Sequence, residues 1–191
     1  MAEIIRLDFP EYEKIVPDAY HGTDVANVES IKANGFQIGT GSDLYLGDGI
    51  YFYEGSKWHA ANFLKQGNPT CKIALYRCVI NLGRCLDLNN EDHKQAVVKF
   101  ASQVRFWAAD NQAFCKKWNI KSPNNITVSF IINLAAQLSK ADTVRAPFAG
   151  QNPLISGSAI GASHIPAISR LVIAVRTPNK ILETVLESVE T

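Results

Sequence analysis

His21 lies in the tetrapeptide Tyr20-His21-Gly22-Thr23, and about thirty residues later the chain reads Leu46-Gly47-Asp48-Gly49-Ile50-Tyr51-Phe52. A neutral imidazole has one donor and one acceptor, so His21 can hold a hydroxyl group while its other nitrogen is fixed by backbone. Gly22 has no side chain, which lets its N–H and C=O approach a planar group and pair with it. Gly47 and Gly49 permit a sharp turn that lays Tyr51 against a flat ring, an offset contact worth about 0.5–1.5 kcal/mol. Downstream, Ser56-Lys57 and Ala60-Ala61-Asn62-Phe63 offer a second aromatic; Phe63 either closes the far side of such a ring or is ordinary core on a helix face. Lys57 and Lys65 are solvated charges or a basic rim able to hold a pyrophosphate. His59 and His93 fall in helical, surface-like contexts and are given no special role.

These residues need elements to hold them. Residues 4–16 read as a lead-in punctuated by Pro10 and Pro17, followed by a short extended piece at residues 19–21. Val25, Val28 and Ile31 at helical spacing predict a short helix over residues 24–35, with Thr23 or Asp24 as N-cap and Gly35 as its stop. Residues 45–53, aromatic and broken by glycine, suit a tight turn feeding a short strand. A second helix is predicted over residues 56–65. The aliphatic stretch 71–88 predicts a buried strand interrupted at Gly83. Residues 92–118 read as one helix with Val97, Phe100, Val104 and Trp107 on one face, and residues 125–139 as a buried helix. Residues 143–163 read as loop, residues 171–175 as a central strand, and the remainder as a polar, helix-prone tail. Strands separated by helices around one glycine-rich region predict an α+β fold, not a doubly wound sheet. No Gly-x-Gly-x-x-Gly opens a helix, which argues against an ordinary Rossmann dinucleotide site.

Composition bounds the answer further. The 191 residues suit one domain, and 47% hydrophobic with 19% charged residues describes a globular chain with a packed core. A net charge of +1 gives no global electrostatic case for nucleic acid or an anionic membrane, and does not exclude a local patch. Cys71, Cys78, Cys85 and Cys115 lack close pairing and read as reduced, mostly buried thiols. No signal peptide and no ~18-residue apolar span is present, so a soluble, cytoplasmic protein without membrane attachment is expected. No metal site is predicted.

Taken together, in this order and at this distance, the segments around His21 and Tyr51 resemble the first two motifs of the ADP-ribosyltransferases of the His-Tyr-Glu branch, the poly(ADP-ribose) polymerase and diphtheria-toxin type. The resemblance covers residues 19–66 and continues in general pattern over 71–88 and 143–182. It implies a single domain over residues 1–191 with a split β-sandwich and inserted helices. It also implies NAD as co-substrate, bound by His21, Gly22, Thr23, Gly49, Tyr51 and Phe63. His21 would position the adenosine-side ribose, Gly22 would pair with the nicotinamide carboxamide, and Tyr51 would lie against the nicotinamide ring.

The third motif of that branch is a glutamate opening a late strand, where a carboxylate stabilises the cation that forms as nicotinamide leaves. Here that place is held by Arg170, after Ser169, and a guanidinium facing a developing cation would raise the barrier unless it points elsewhere. The glycine-rich segment before it offers Gln151, which could bond a ribose without charge, and His164; Glu183 and Glu187 come after the strand. In Phe148-Ala149-Gly150-Gln151 the acid of bacterial relatives is also replaced. His21, Tyr51, Gln151 and Arg170 are thus the candidate catalytic residues. Arg145 is a phosphate fork or a surface salt bridge.

The resemblance implies a mono-ADP-ribosyltransferase acting on a macromolecular acceptor, protein or nucleic acid, of the kind found among bacterial or phage toxins, effectors and defence enzymes. A catalytically silent module of the same fold, reading NAD, ADP-ribose or nucleic-acid ends, is the second reading. An RNA 2′-phosphotransferase is the third; Gly47-Asp48-Gly49-Ile50-Tyr51-Phe52 counts against it, because that family carries a second histidine there. Acceptor and oligomeric state are not encoded legibly.

Overall fold

The computed structural model describes residues 7–41, 44–148 and 170–190, with the side chains of Asn125, Phe148 and Arg170 left out of account. Six strands form one sheet: β1 (Glu11–Asp24), β2 (Ile50–Glu54), β3 (Ile73–Asp87), β4 (Thr143–Phe148), β5 (Arg170–Val175) and β6 (Ile181–Val189). Five helices accompany them: α1 (Val28–Asn34), α2 (Lys57–Gly67), α3 (Glu91–Asp110), α4 (Gln112–Lys117) and α5 (Val128–Leu138). The α+β class expected from the sequence is the class observed. All strand pairings are antiparallel except β3–β4, which excludes a doubly wound sheet.

The sheet closes on itself. Its order is β1-β2-β5-β4-β3-β6, and β1 also pairs with β3, so the first five strands form a ring with β6 appended. β3 makes this possible by its length. One of its edges carries β1 from Ile73 to Arg84, and the other carries β6 along residues 74–80 and then β4 along 85–87. Period-2 alternation sorts the side chains. Val16, Phe52, Tyr76, Ile80, Ile173 and Val175 belong to one buried cluster inside the ring, and α1 packs against it through Val28 and Ile31. Tyr20, Tyr53, Leu75, Val144 and Val172 face the other way, into a cluster shared with Ala60 of α2, Phe100 of α3 and Ile132 of α5.

Local signals explain most elements. A 3-10 turn at Val25–Asn27 precedes α1, and the Asp24 carboxylate accepts from the Ala26 N–H at 2.9 Å. Gly35, at φ 72°, ends the helix as a residue without Cβ can. Ser56, Asn90 and Thr127 cap α2, α3 and α5.

Five expectations are corrected. Residues 11–16 of the lead-in belong to a 14-residue strand, because β3 supplies an edge along that strand's length. Residues 92–118 form two helices, since the Asn111 side chain caps Phe114 N and opens α4. Thr143–Phe148 is strand, not loop; Pro147 is tolerated because the β3–β4 ladder ends at Arg145. The tail is β6, not helix, since the unfilled edge of β3 overrides the helical preference of its Leu and Glu residues. Gly83 does not interrupt β3; it sits within the strand at φ 55°. Among the described residues no helix is long and apolar enough to cross a membrane.

Candidate functional site

β1 and β2 pair at Ala19↔Glu54 and Tyr20↔Tyr53 and then part. At the point of separation, His21 Nδ1 lies 2.8 Å from the main-chain oxygen of Tyr51. A carbonyl can only accept, so Nδ1 carries the proton and Nε2 presents a lone pair. Nε2 has no hydrogen-bond partner among the described residues. The imidazole is packed edge-on to Phe36 (4.9 Å between centroids) and 5.5 Å from Phe52. Burial holds its pKa below the ordinary histidine value, against the opposing pull of the Tyr51 carbonyl. The ring is therefore neutral at pH 7.

Tyr51 leaves β2 on the other face. Phe52 and Ile50 point into the ring cluster with His21, whereas Tyr51 and Tyr53 pack with the helix-side cluster. The Tyr51 hydroxyl donates to Gly47 O at 2.7 Å and accepts from Leu46 N–H at 2.8 Å. Burial pushes its pKa well above the ordinary tyrosine range, with the Leu46 N–H pulling the other way. The phenol thus pins residues 44–49, which α5 and Arg176, just past β5, also hold: Asn133 donates to the Asp48 carboxylate (2.9 Å) and accepts from Asp48 N–H (3.3 Å). Arg176 donates to Asp48 O at 2.9 Å and to the Asn133 side chain at 2.6 Å.

The glycines are spent on close packing. A Cβ on Gly22 would stand 2.2 Å from the main-chain oxygen of Ala60, so α2 rests directly on this residue. Gly49 exchanges both main-chain bonds with Gly39, and a Cβ there would meet the Cβ of Ala174 at 3.0 Å. Gly47 turns at φ 79° against Asn133. Thr23 is buried, and its hydroxyl accepts from Asn27 Nδ2 at 3.0 Å. Phe63 is 56% exposed on α2, and its ring lies 6.2 Å from that of Tyr53.

The chain matches no family model and no curated protein. One solved structure is similar to it. The crystal structure of the M. tuberculosis MbcT–MbcA toxin–antitoxin complex contains a chain that aligns over 94% of this chain and 87% of its own length, at 11% identity and a TM-score of 0.45. A likeness of that size assigns neither fold family nor activity.

Gln151 and His164 lie outside the described residues, as does the segment Ala149-Gly150. Arg170 opens β5 opposite Phe148, so the position expected of the third motif is at the start of a strand beside β2. β5 itself carries no carboxylate. Lys57 is ion-paired with Glu187, and Lys65 with Glu190 at 2.7 Å, so neither is a bare solvated charge.

Two groups stand elsewhere than the sequence reading put them, and a third escaped it. Arg145 is not at the surface: 5% exposed, it donates to both Glu54 oxygens (Nε–Oε2 2.8 Å, Nη2–Oε1 3.0 Å) and to Asp87 at 2.9 Å. Burial works against its charge, and the two carboxylates outweigh that and hold its pKa above the ordinary value. This knot ties β4, β2 and β3 two residues beyond Phe52. His93 is also buried, and its Nδ1 accepts from Asp87 N–H at 3.1 Å, so a histidine read as surface is a backbone anchor. Asn133 was the most legible of the three, because it is an amide set between Ile132 and Leu134 in the apolar run of α5.

Proposed function

We propose that the chain is a mono-ADP-ribosyltransferase that binds NAD where β1 and β2 part. One observation carries the reading: a half-buried, neutral His21 whose tautomer is fixed by Tyr51 O and whose Nε2 lone pair is left for a hydroxyl donor. A ribose hydroxyl is such a donor. The exposed Phe63 stands beside Tyr53 on the Tyr51 side. Because His21 and Tyr51 leave the sheet on opposite faces, the dinucleotide would cross the edge of β1 at Gly22, with adenosine ribose towards His21 and nicotinamide towards Tyr51.

In the reaction the bond between ribose C1′ and the nicotinamide nitrogen breaks, nicotinamide leaves with the electron pair, and a nucleophile of a macromolecular acceptor bonds to C1′ and loses its proton. The chain's own part is orientation: His21 fixes one ribose, and the pinned loop 44–49 holds Tyr51 rigid against the ring. Gln151 would bond the second ribose without supplying charge. Weak stabilisation of the cation follows, and slow turnover with it.

A silent NAD-reading module is the second reading, favoured by the absence of any carboxylate on β5. Incubation with NAD, following free nicotinamide by chromatography and NAD affinity by calorimetry, separates them. Release that is lost in His21→Ala supports the transferase. Binding without release supports the module. If NAD neither binds nor is cleaved, both readings fall.

A further inference from the structure

β6 is an edge strand of the sheet formed by the described residues. It pairs with β3 on one side, and among the described residues no strand takes the other. It is nine residues long and exposes apolar side chains on both faces: Leu182 is 54% exposed, Leu186 42%, and Val185 and Val189 are exposed as well. Long apolar edges are normally shortened, covered or charged, because their free N–H and C=O groups template further pairing. Alongside β6 runs a groove of about 560 Å³ between this strand, β3 and α1, with Val28, Ile31, Phe36, Tyr76 and Leu186 as its apolar walls.

From these features we infer that β6 is a docking edge for an extended segment of a partner protein, which adds as a seventh strand with apolar side chains towards the groove and basic side chains on the opposite face. Charge decides the chemistry of the partner. On the face away from the groove, Glu187 is already paired with Lys57 and Arg77, whereas Glu183 has no ion pair among the described residues. Glu29 on the groove rim is likewise unpaired among them, beside one cation, Lys32. Glu183 therefore leaves a negative charge on the edge without an ion pair among the described residues. A lysine or arginine opposite Glu183 would gain a cross-strand contact, and a like charge would lose one.

The same argument disfavours a second copy of this chain. Two β6 strands paired antiparallel over their full length would set Ile181 opposite Val189 and therefore Glu183 opposite Glu187, twice over. The inference does not depend on the NAD reading, because neither His21 nor Tyr51 lines the groove.

The test uses fluorescein-labelled peptides of the same nine-residue length as β6, alternating valine and threonine with two threonines replaced by lysine, or by glutamate in the matched control. Fluorescence polarisation with the whole protein should give the lysine peptide an affinity about tenfold higher. Glu183→Lys should reverse that preference, and Leu186→Asp should weaken both peptides. Amide exchange along Leu182–Val189 should slow when the lysine peptide is bound. Both substituted side chains are solvent-exposed, and unchanged circular dichroism will verify folding. Equal affinities, no binding up to about 1 mM, or protection elsewhere than β6 would overturn the inference. A dimer in sedimentation that Leu186→Asp dissolves would overturn it too, in favour of self-pairing.

Discussion

The imidazole of His21 replaces a ladder bond: where β1 and β2 cease to pair, its Nδ1–H reaches the carbonyl of Tyr51 at 2.8 Å and keeps the parting strands in register. One side chain therefore joins the two motifs, and the first prediction follows from its protonation. Burial lowers the His21 pKa below 6.5, and burial lowers that of His93 as well, against the pull of Asp87. Above pH 6.5 neither the folded nor the unfolded chain is protonated there, and no penalty exists. Below it the unfolded chain takes up protons that the folded one refuses, so stability falls as pH drops through 6 to 5. Each histidine adds a slope of at most about 1.4 kcal/mol per pH unit. Urea unfolding at pH 7, 6 and 5 measures it. His21→Asn, whose amide can still donate to Tyr51 O, should reduce the slope; an unchanged slope would contradict the burial argument.

Tyr51→Phe keeps the ring and deletes the hydroxyl that bridges Leu46 N–H and Gly47 O. Two partly buried main-chain groups lose their partner, at a cost of about 1–3 kcal/mol. The loosening should be local. Hydrogen exchange is expected to quicken at residues 44–49 while β3 amides stay protected.

Gly22→Ala introduces a methyl group 2.2 Å from a helix carbonyl, and that neighbour is main chain that cannot rotate away. α2 must shift, and the loss should reach or exceed the ~1–3 kcal/mol of ordinary overpacking. Gly35→Ala is the control, because nothing lies within 4 Å of its added Cβ and the only penalty is its φ of 72°. That penalty is about 1–2 kcal/mol. Thermal melts of the two variants should rank Gly22→Ala as the more damaging.

Arg145→Met strips the cation from between Glu54 and Asp87. Breaking a buried pair in this way costs about 3–5 kcal/mol, chiefly through the carboxylates left behind. One further outcome identifies the cause: adding Glu54→Gln and Asp87→Asn should recover most of the loss in urea unfolding at pH 7.

What the sequence discloses here follows the range of the interactions involved. α1 was readable because Val25, Val28 and Ile31 repeat locally and Asp24 and Gly35 bracket them. The proximity of residues 21 and 51 was readable because two short motifs carry it. β6 was not, because Leu182, Glu183, Leu186 and Glu187 suit a helix until the free edge of β3, a hundred residues earlier, is supplied. The burial and partners of Arg145 escaped for the same reason: Glu54 and Asp87 belong to other strands, and no local pattern announces a cross-strand ion pair. His93 was misjudged because helical context alone does not tell which face turns inward.

β3 is flanked on one edge by a strand made before it and on the other by strands made after it. As the chain emerges from a ribosome, β1 and β3 can form an early hairpin-like pair across α1, β2 and α2. The rest of β3 then presents a bare row of amides until residues 143 and 181 arrive. Closing such long spans is entropically slow. The waiting edge is open to mispairing during synthesis, and fusion partners that delay release of residues 181–189 should lower the soluble yield.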